Sequence, residues 1–360
     1  MRFKSMVVLL ILVWTAPLAA APTGQTACLP SQFRGDGLEN AVVTPGDPNN
    51  VRALPSRNAA LIGQLAPGTV FNIVYEEAVC AEGFLWRHIA ALGINGWTAE
   101  ANATTYYLQP YQSPAPVTVA AALLPGDLLV ESHGLSFTVP AQLGYTAVLE
   151  EEQVGIFDLD MMGGMPSSLH YTLISGDDSA ENGSIDVYHY HDSEASYAFF
   201  DYDAADLEAL LTSKTDLVAA AQTRSGLTNM PVRAAGALFY GVPQYQPFAH
   251  GNGLRYVTVF AQNFIVFSSD TPYEYFYRGL SEDGLFLIAA HLPVHIPLAT
   301  IPPEIDPFAN DTAYADYLAQ FTQALNTQPA SAFAPDLTLY DTLLASVTIT
   351  DAAALSAAIR

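Results

Sequence analysis

The sequence predicts two β-rich units in tandem: a small all-β barrel, then a larger α+β domain built as an antiparallel sheet with helices on one face. Three observations predict this. Short β-branched and aromatic runs split by Pro, Gly and Asn-Gly turns fill residues 39–108 at the spacing of a barrel or sandwich. Pro110, Pro114, Pro116 and Pro125 then mark residues 109–126 as an extended, stiff linker. Beyond it, strand patterns follow one another through residues 127–350 with few helical stripes between them, which favours antiparallel pairing.

The chain opens with a secretory signal over residues 1–21. Arg2 and Lys4 give the positive start, residues 6–14 an apolar stretch too short to span a bilayer, and Leu18-Ala19-Ala20-Ala21 the small residues of a cleavage site. An uncleaved anchor is the alternative. An N-terminal segment, residues 22–38, follows. No later apolar run is long enough for a transmembrane segment, so the mature chain is expected to be secreted or extracytoplasmic, in the cell envelope. Charge agrees with export: 12 Lys and Arg stand against 36 Asp and Glu, and loss of Arg2 and Lys4 leaves ten against 36, a formal net charge of −26. So acidic a surface repels nucleic-acid phosphates and argues against nucleic acid as a partner.

In the small unit, Val51-Arg52-Ala53-Leu54 is an extended run that Pro55 stops. Leu61-Ile62-Gly63-Gln64-Leu65 leads into the turn Ala66-Pro67-Gly68-Thr69, where Pro presets φ and Gly tolerates a left-handed position. Val70-Phe71-Asn72-Ile73-Val74 has strand composition. Phe84, Trp86 and His88 alternate onto one face of the next strand. Asn95-Gly96 reads as a two-residue hairpin turn, with Trp97 opening the last strand.

Taken in order, Asn50-Val51-Arg52 with Pro55-Ser56, Ile62-Gly63-Gln64-Leu65 with Gly68-Thr69, Trp86 with Ile89, and Gly96-Trp97-Thr98 resemble the bacterial SH3 domain. Two departures stand out: Leu54 occupies a usual Gly position, and the connection from Glu76 to Gly83 is longer and carries Cys80. The resemblance implies an SH3-like barrel in which Trp86, Trp97 and Arg52 line a groove for a cell-wall peptide or an envelope protein. The alternative for both tryptophans is barrel core.

The larger unit begins with the strand Gly134-Leu135-Ser136-Phe137-Thr138-Val139, ended by Pro140. Strands follow over residues 169–174, 185–191 and 254–260, and a hairpin joins 273–280 to 285–291 through Ser281-Glu282-Asp283-Gly284. Leu207, Leu210 and Leu211 mark a helix over 204–215. Asp311 caps another over 312–326, striped by Tyr314, Tyr317, Leu318, Phe321 and Leu325. Pro335 starts a third, and residues 351–360 read as a tail. This order of elements resembles PsbP-like domains of secreted bacterial proteins, a likeness that assigns no residue a role.

Catalytic signatures are missing. The only cysteines, Cys28 and Cys80, lie outside the large domain, so no Cys–His pair can form there. Leu211 stands three residues before Lys214, where a Ser-x-x-Lys site needs serine. No Gly-x-Ser-x-Gly elbow, His-Glu-x-x-His motif, phosphate loop or cofactor fingerprint occurs. A carboxylate site on Glu150 to Glu152, or on Asp158 and Asp160, stays open. His189 and His191 alternate onto one strand face and can chelate zinc or copper, with His170, His291 or His295 as further ligands. The alternative is unligated, hydrogen-bonded histidines. Met161, Met162 and Met165 read as packed loop residues. In an exported chain, Cys28 and Cys80 are expected to form a disulfide, with free thiols or a lipidated Cys28 as alternatives. These features lead to a secreted, non-catalytic envelope binding protein, with a wall-directed hydrolase, metal-dependent or not, as the alternative, and a purely structural surface protein as a third reading.

Overall fold

Alternating β-branched and aromatic residues make strands in both expected units. The computed structural model describes residues 28–34, 39–73, 77–91, 94–112, 115, 117–121, 126–155, 166–177, 181–190, 204–223, 227, 235–297, 301 and 311–359. The expected secretory signal, His191, Asp158, Asp160 and the methionine loop lie outside these residues.

The small unit contains β1 (Glu39–Val43), β2 (Asn49–Arg52), β3 (Leu61–Leu65), β4 (Val70–Ile73), β5 (Val79–Ala81), β6 (Phe84–Ala91), β7 (Ile94–Ala101) and β8 (Leu108–Pro110). They form one antiparallel sheet in the order β3-β2-β7-β6-β4-β1-β8, with β5 added to β6. Ala41, Val51, Leu65, Phe71, Ile73, Ile89 and Leu108 turn inward as its core. Phe33 joins that core from the N-terminal segment. The Cys28–Cys80 disulfide is present and closes 52 residues of chain.

Asn95-Gly96 is not the hairpin turn. Both residues lie inside β7, paired with Ala90 and Ile89 of β6. Gly96 is required there for closeness: a Cβ would press on Ile62, Val51 and the Arg52 carbonyl. Asn95 is held by its side chain, 2.7 Å from His88 Nε2.

The expected linker also carries pairing. β8 extends into it as far as Pro110, and β9 (Val117–Ala121) edges the large sheet. The large unit continues with β10 (Leu128–Ser132), β11 (Leu135–Val139), β12 (Tyr145–Gln153), β13 (Ser168–Ser175), β14 (Gly183–His189), α1 (Ala204–Ser213) and α2 (Leu217–Thr223). β15 (Gly236–Ala237), β16 (Gly241–Tyr245), β17 (Gly251–Thr258), β18 (Phe260–Ala261), β19 (Glu274–Ser281) and β20 (Phe286–Pro293) follow, then α3 (Asp311–Asn326), α4 (Leu337–Ala345), β21 (Thr348–Ile349) and α5 (Ala352–Ala358). The main sheet is antiparallel throughout, in the order β16-β17-β19-β20-β14-β13-β12-β9. A smaller sheet, β10-β11-β21, packs beside it.

Helices cover both faces of the main sheet, not one. Alternation along β19 settles this. Tyr275 and Tyr277 pack with Phe321 and Leu325 of α3 and Tyr340 and Leu343 of α4. Phe276 and Leu280 pack on the other side with Leu207, Leu210 and Leu211 of α1 and Leu217 of α2. An apolar stripe fixes which side of a helix is buried, but not which side of the sheet receives it. Residues 351–360 are likewise more than a tail. Asp351 caps α5 by accepting from the Ala353 and Ala354 N–H groups, and Leu355 and Ile359 enter the core. α4 starts at Leu337 rather than at Pro335, and Asp336 caps it by accepting from the Thr338 N–H.

Candidate functional site

Cross-strand register decides which expected site residues meet. Arg52 on β2 stands opposite Trp97 on β7, and Trp97 opposite His88 on β6. Leu61 on β3 stands opposite Arg52. Directly opposed residues share a face, so Leu61, Arg52, Trp97 and His88 form one row across four strands. The row lies on the face away from Val51 and Ile89, which are fully buried.

The row is held in place. The His88 and Trp97 rings stack with centroids 5.0 Å apart. Arg52 Nη1 donates to the Ala59 carbonyl at 2.8 Å, tethering the β2–β3 loop. The same loop is fastened at its far side by Glu82, which accepts from Ser56 Oγ and the Arg57 N–H. Those two donors hold the Glu82 carboxyl below its ordinary pKa. Leu54, Leu61 and Ile62 are exposed to 63%, 54% and 43%, with Ile62 on the Gly96 side of the sheet.

Trp86 lies on the same face, two residues before His88, but it is only 3% exposed. Its indole N–H donates to the carbonyl of Ala81 at the end of β5. Trp97 and Arg52 are half-buried and reachable. Of the three expected groove residues, two therefore line a surface and Trp86 lies beneath it. Leu61 and His88 complete the row. Alternation along β6 had already placed His88 on this face; Leu61 depends on the β2–β3 register, which no local pattern reveals.

Among the described residues, the histidines of the large unit do not converge. His189 lies on the α3–α5 face, stacked on Phe286 and 3.3 Å from the Ser356 carbonyl. His170 points to the opposite face, because Tyr171 and Leu169 flank it inward toward α3–α5. His291 stands opposite Ser184, five rows from His189 along the same pair of strands, and hydrogen-bonds Glu274 at 2.9 Å. Among the described residues no three His, Cys, Asp or Glu side chains gather around a point that could hold a metal ion.

One chain of groups has the order of a hydrolytic triad. Thr172 Oγ1 is 3.0 Å from His170 Nε2, and His170 Nδ1 is 2.6 Å from Asp186 Oδ1. Such a triad needs a neutral imidazole that accepts the hydroxyl proton. Burial lowers the His170 pKa, but the Asp186 hydrogen bond and charge, helped by Glu151, outweigh it and raise it overall. The arrangement is a hydrogen-bonded ladder across β13 and β14.

The sequence matches no protein-family model and no curated protein.

Proposed function

We propose that this chain is a secreted, non-catalytic binding protein of a bacterial envelope, whose SH3-like unit holds a wall peptide along the row Leu61–Arg52–Trp97–His88. The row itself carries the reading. It offers a stacked ring pair and an exposed leucine for apolar side chains, and a guanidinium for a peptide carboxylate. Its loop is fastened on both sides, so little order is lost on binding. The disulfide supports an oxidising compartment. Among the described residues no helix is long and apolar enough to cross a membrane.

Co-sedimentation of the full chain with purified peptidoglycan tests this. Trp97→Ala removes an aromatic anchor and should weaken retention on the order of thirtyfold, with Arg52→Ala weakening it in the same direction. Equal retention of both variants and the parent chain would sink the proposal, and release of soluble wall fragments would establish the hydrolase instead.

A further inference from the structure

The chain's one disulfide joins two parts of the small unit that are held very differently. Cys28 belongs to the N-terminal segment, which Phe33 anchors in the core and Tyr106 holds by donating to the Pro30 carbonyl at 2.7 Å. Cys80 is the middle residue of β5 and is exposed to solvent. β5 is three residues long and pairs only with β6 among the described strands. Its turn into β6 is Glu82-Gly83, with φ of +53° and +79°. The left-handed region is unfavourable for a residue with a Cβ, so Glu82 keeps it while its surroundings hold it there. So short a strand has little pairing of its own, and the bridge ties it to the anchored segment.

From β5 the contacts run on to the row. Glu82 accepts from Ser56 Oγ at 2.8 Å and from the Arg57 N–H at 2.9 Å, both in the β2–β3 loop. The Arg57 guanidinium lies over the Phe84 ring, 5.4 Å from its centroid, which is a second hold on the same loop. Ala59, two residues further on, accepts from Arg52 Nη1. Arg52 is the charged member of the row. Bridge, β5–β6 hairpin, loop and guanidinium therefore form one line of contacts.

We propose that the Cys28–Cys80 disulfide is a redox switch for the row Leu61–Arg52–Trp97–His88. Closed, it holds the β2–β3 loop against Arg52 and keeps the row ordered for its ligand. Opened, it frees β5, Glu82 lets go of the loop, and binding weakens. This rests on the row being the binding surface. The reductant is a dithiol. Its thiolate attacks the sulfur of exposed Cys80, the S–S bond breaks, and Cys28 leaves as a thiolate that takes up a proton. The second thiolate of the reductant then displaces Cys80 from the mixed disulfide, and Cys80 is protonated in turn. Two electrons pass to the protein, and the dithiol ends as a disulfide. Phe33 and the Arg87–Glu100 pair take no part in the step, so the core stays closed while the loop is released.

The test compares the oxidised full chain with the chain reduced by dithiothreitol, by amide hydrogen exchange and by co-sedimentation with purified peptidoglycan. The Arg57 and Ala59 N–H groups donate to Glu82 and to the Ser56 carbonyl. Their protection should fall about tenfold or more on reduction, while β6 and β7 stay protected. Retention should weaken about tenfold, the cost of ordering one or two side chains anew on binding. Glu82→Gly suits the left-handed turn, removes the carboxylate and leaves the bridge intact. Oxidised Glu82→Gly should be retained no better than the reduced parent, and reducing it should add nothing. Additive losses, unchanged exchange in the loop, or faster exchange with equal retention would each overturn the proposal. Protection lost across β6 and β7 as well would also overturn it, since the bridge would then be a staple for the whole unit. Absence of retention in both states sinks the wall-peptide reading alone. Faster exchange at Arg57 and Ala59 on reduction then still supports the switch, and its absence overturns it.

Discussion

Replacing Glu100 with Gln should detach the N-terminal segment from the small unit and destabilise it by about 3–5 kcal/mol, the cost of stranding a buried charge. The side chains of Arg87 and Glu100 are 3% and 0% exposed, with Nε and Oε2 2.9 Å apart. At that separation the attraction is roughly 6 kcal/mol for an effective dielectric of about 20, most of it offset by taking both ions out of water. The pair therefore adds little net stability, but losing one member leaves the guanidinium buried and uncompensated. Glu100 also accepts from the Gln32 N–H at 2.7 Å and from Ser31 Oγ at 3.0 Å, bonds that hold residues 28–34 in place. Gln keeps the shape, so a cavity does not confuse the result. Apart from Trp14 in the expected signal, the tryptophans are Trp86 and Trp97, so tryptophan fluorescence during urea unfolding reports the small unit alone. Exposed Glu131→Gln is the matched control. An unfolding midpoint for Glu100→Gln equal to the control's would refute the reasoning, because it would mean that Arg87 stays solvated.

Three further outcomes are expected. Cys80→Ser should destabilise the small unit by about 4 kcal/mol on the chain-entropy account of a loop this long, and unreduced, denatured parent protein should resist alkylation; ready alkylation would exclude the bridge. The raised His170 pKa makes its stabilisation fully present below the unfolded value of 6.5 and lost as pH rises through the higher folded value. Asp186→Asn should lower the His170 midpoint in an NMR titration and flatten that dependence, and an unshifted midpoint would show that the pair is not formed. Gly134→Ala places a Cβ against the Asp351 carbonyl at φ +77°, and should lower thermal stability by about 2 kcal/mol or more; an unchanged melting temperature would deny the close approach.

Much of the β content was legible because alternation and turn residues act locally. β3, β4, β6, β11, β13, β19 and β20 sit within a residue or two of their sequence patterns. What depends on distant partners was not legible. Glu150, Glu151 and Glu152 were left open as a carboxylate site, but they lie in the second half of β12, where alternation puts Glu151 on the His170 face and the other two on the Tyr171 face. Neither the placement of helices on both faces nor the course of β9 leaves a mark in local composition. In the small unit, Trp86 and Trp97 carry the same residue type at similar strand positions, and only the β5–β6 turn covering the first separates a buried ring from a reachable one. The row at Arg52 and Trp97 was half legible, since its residues were identifiable but their register was not.

Phe33 belongs to the core of the small unit although it precedes the first strand. A fragment beginning at Glu39 would keep every strand and lose that ring, the disulfide partner, and the Ser31 and Gln32 groups that face the buried Arg87–Glu100 pair. The piece that can be transplanted between proteins, or expressed alone for crystallisation, therefore starts at Cys28. Its first seven residues complete a core whose strands all come later in the chain.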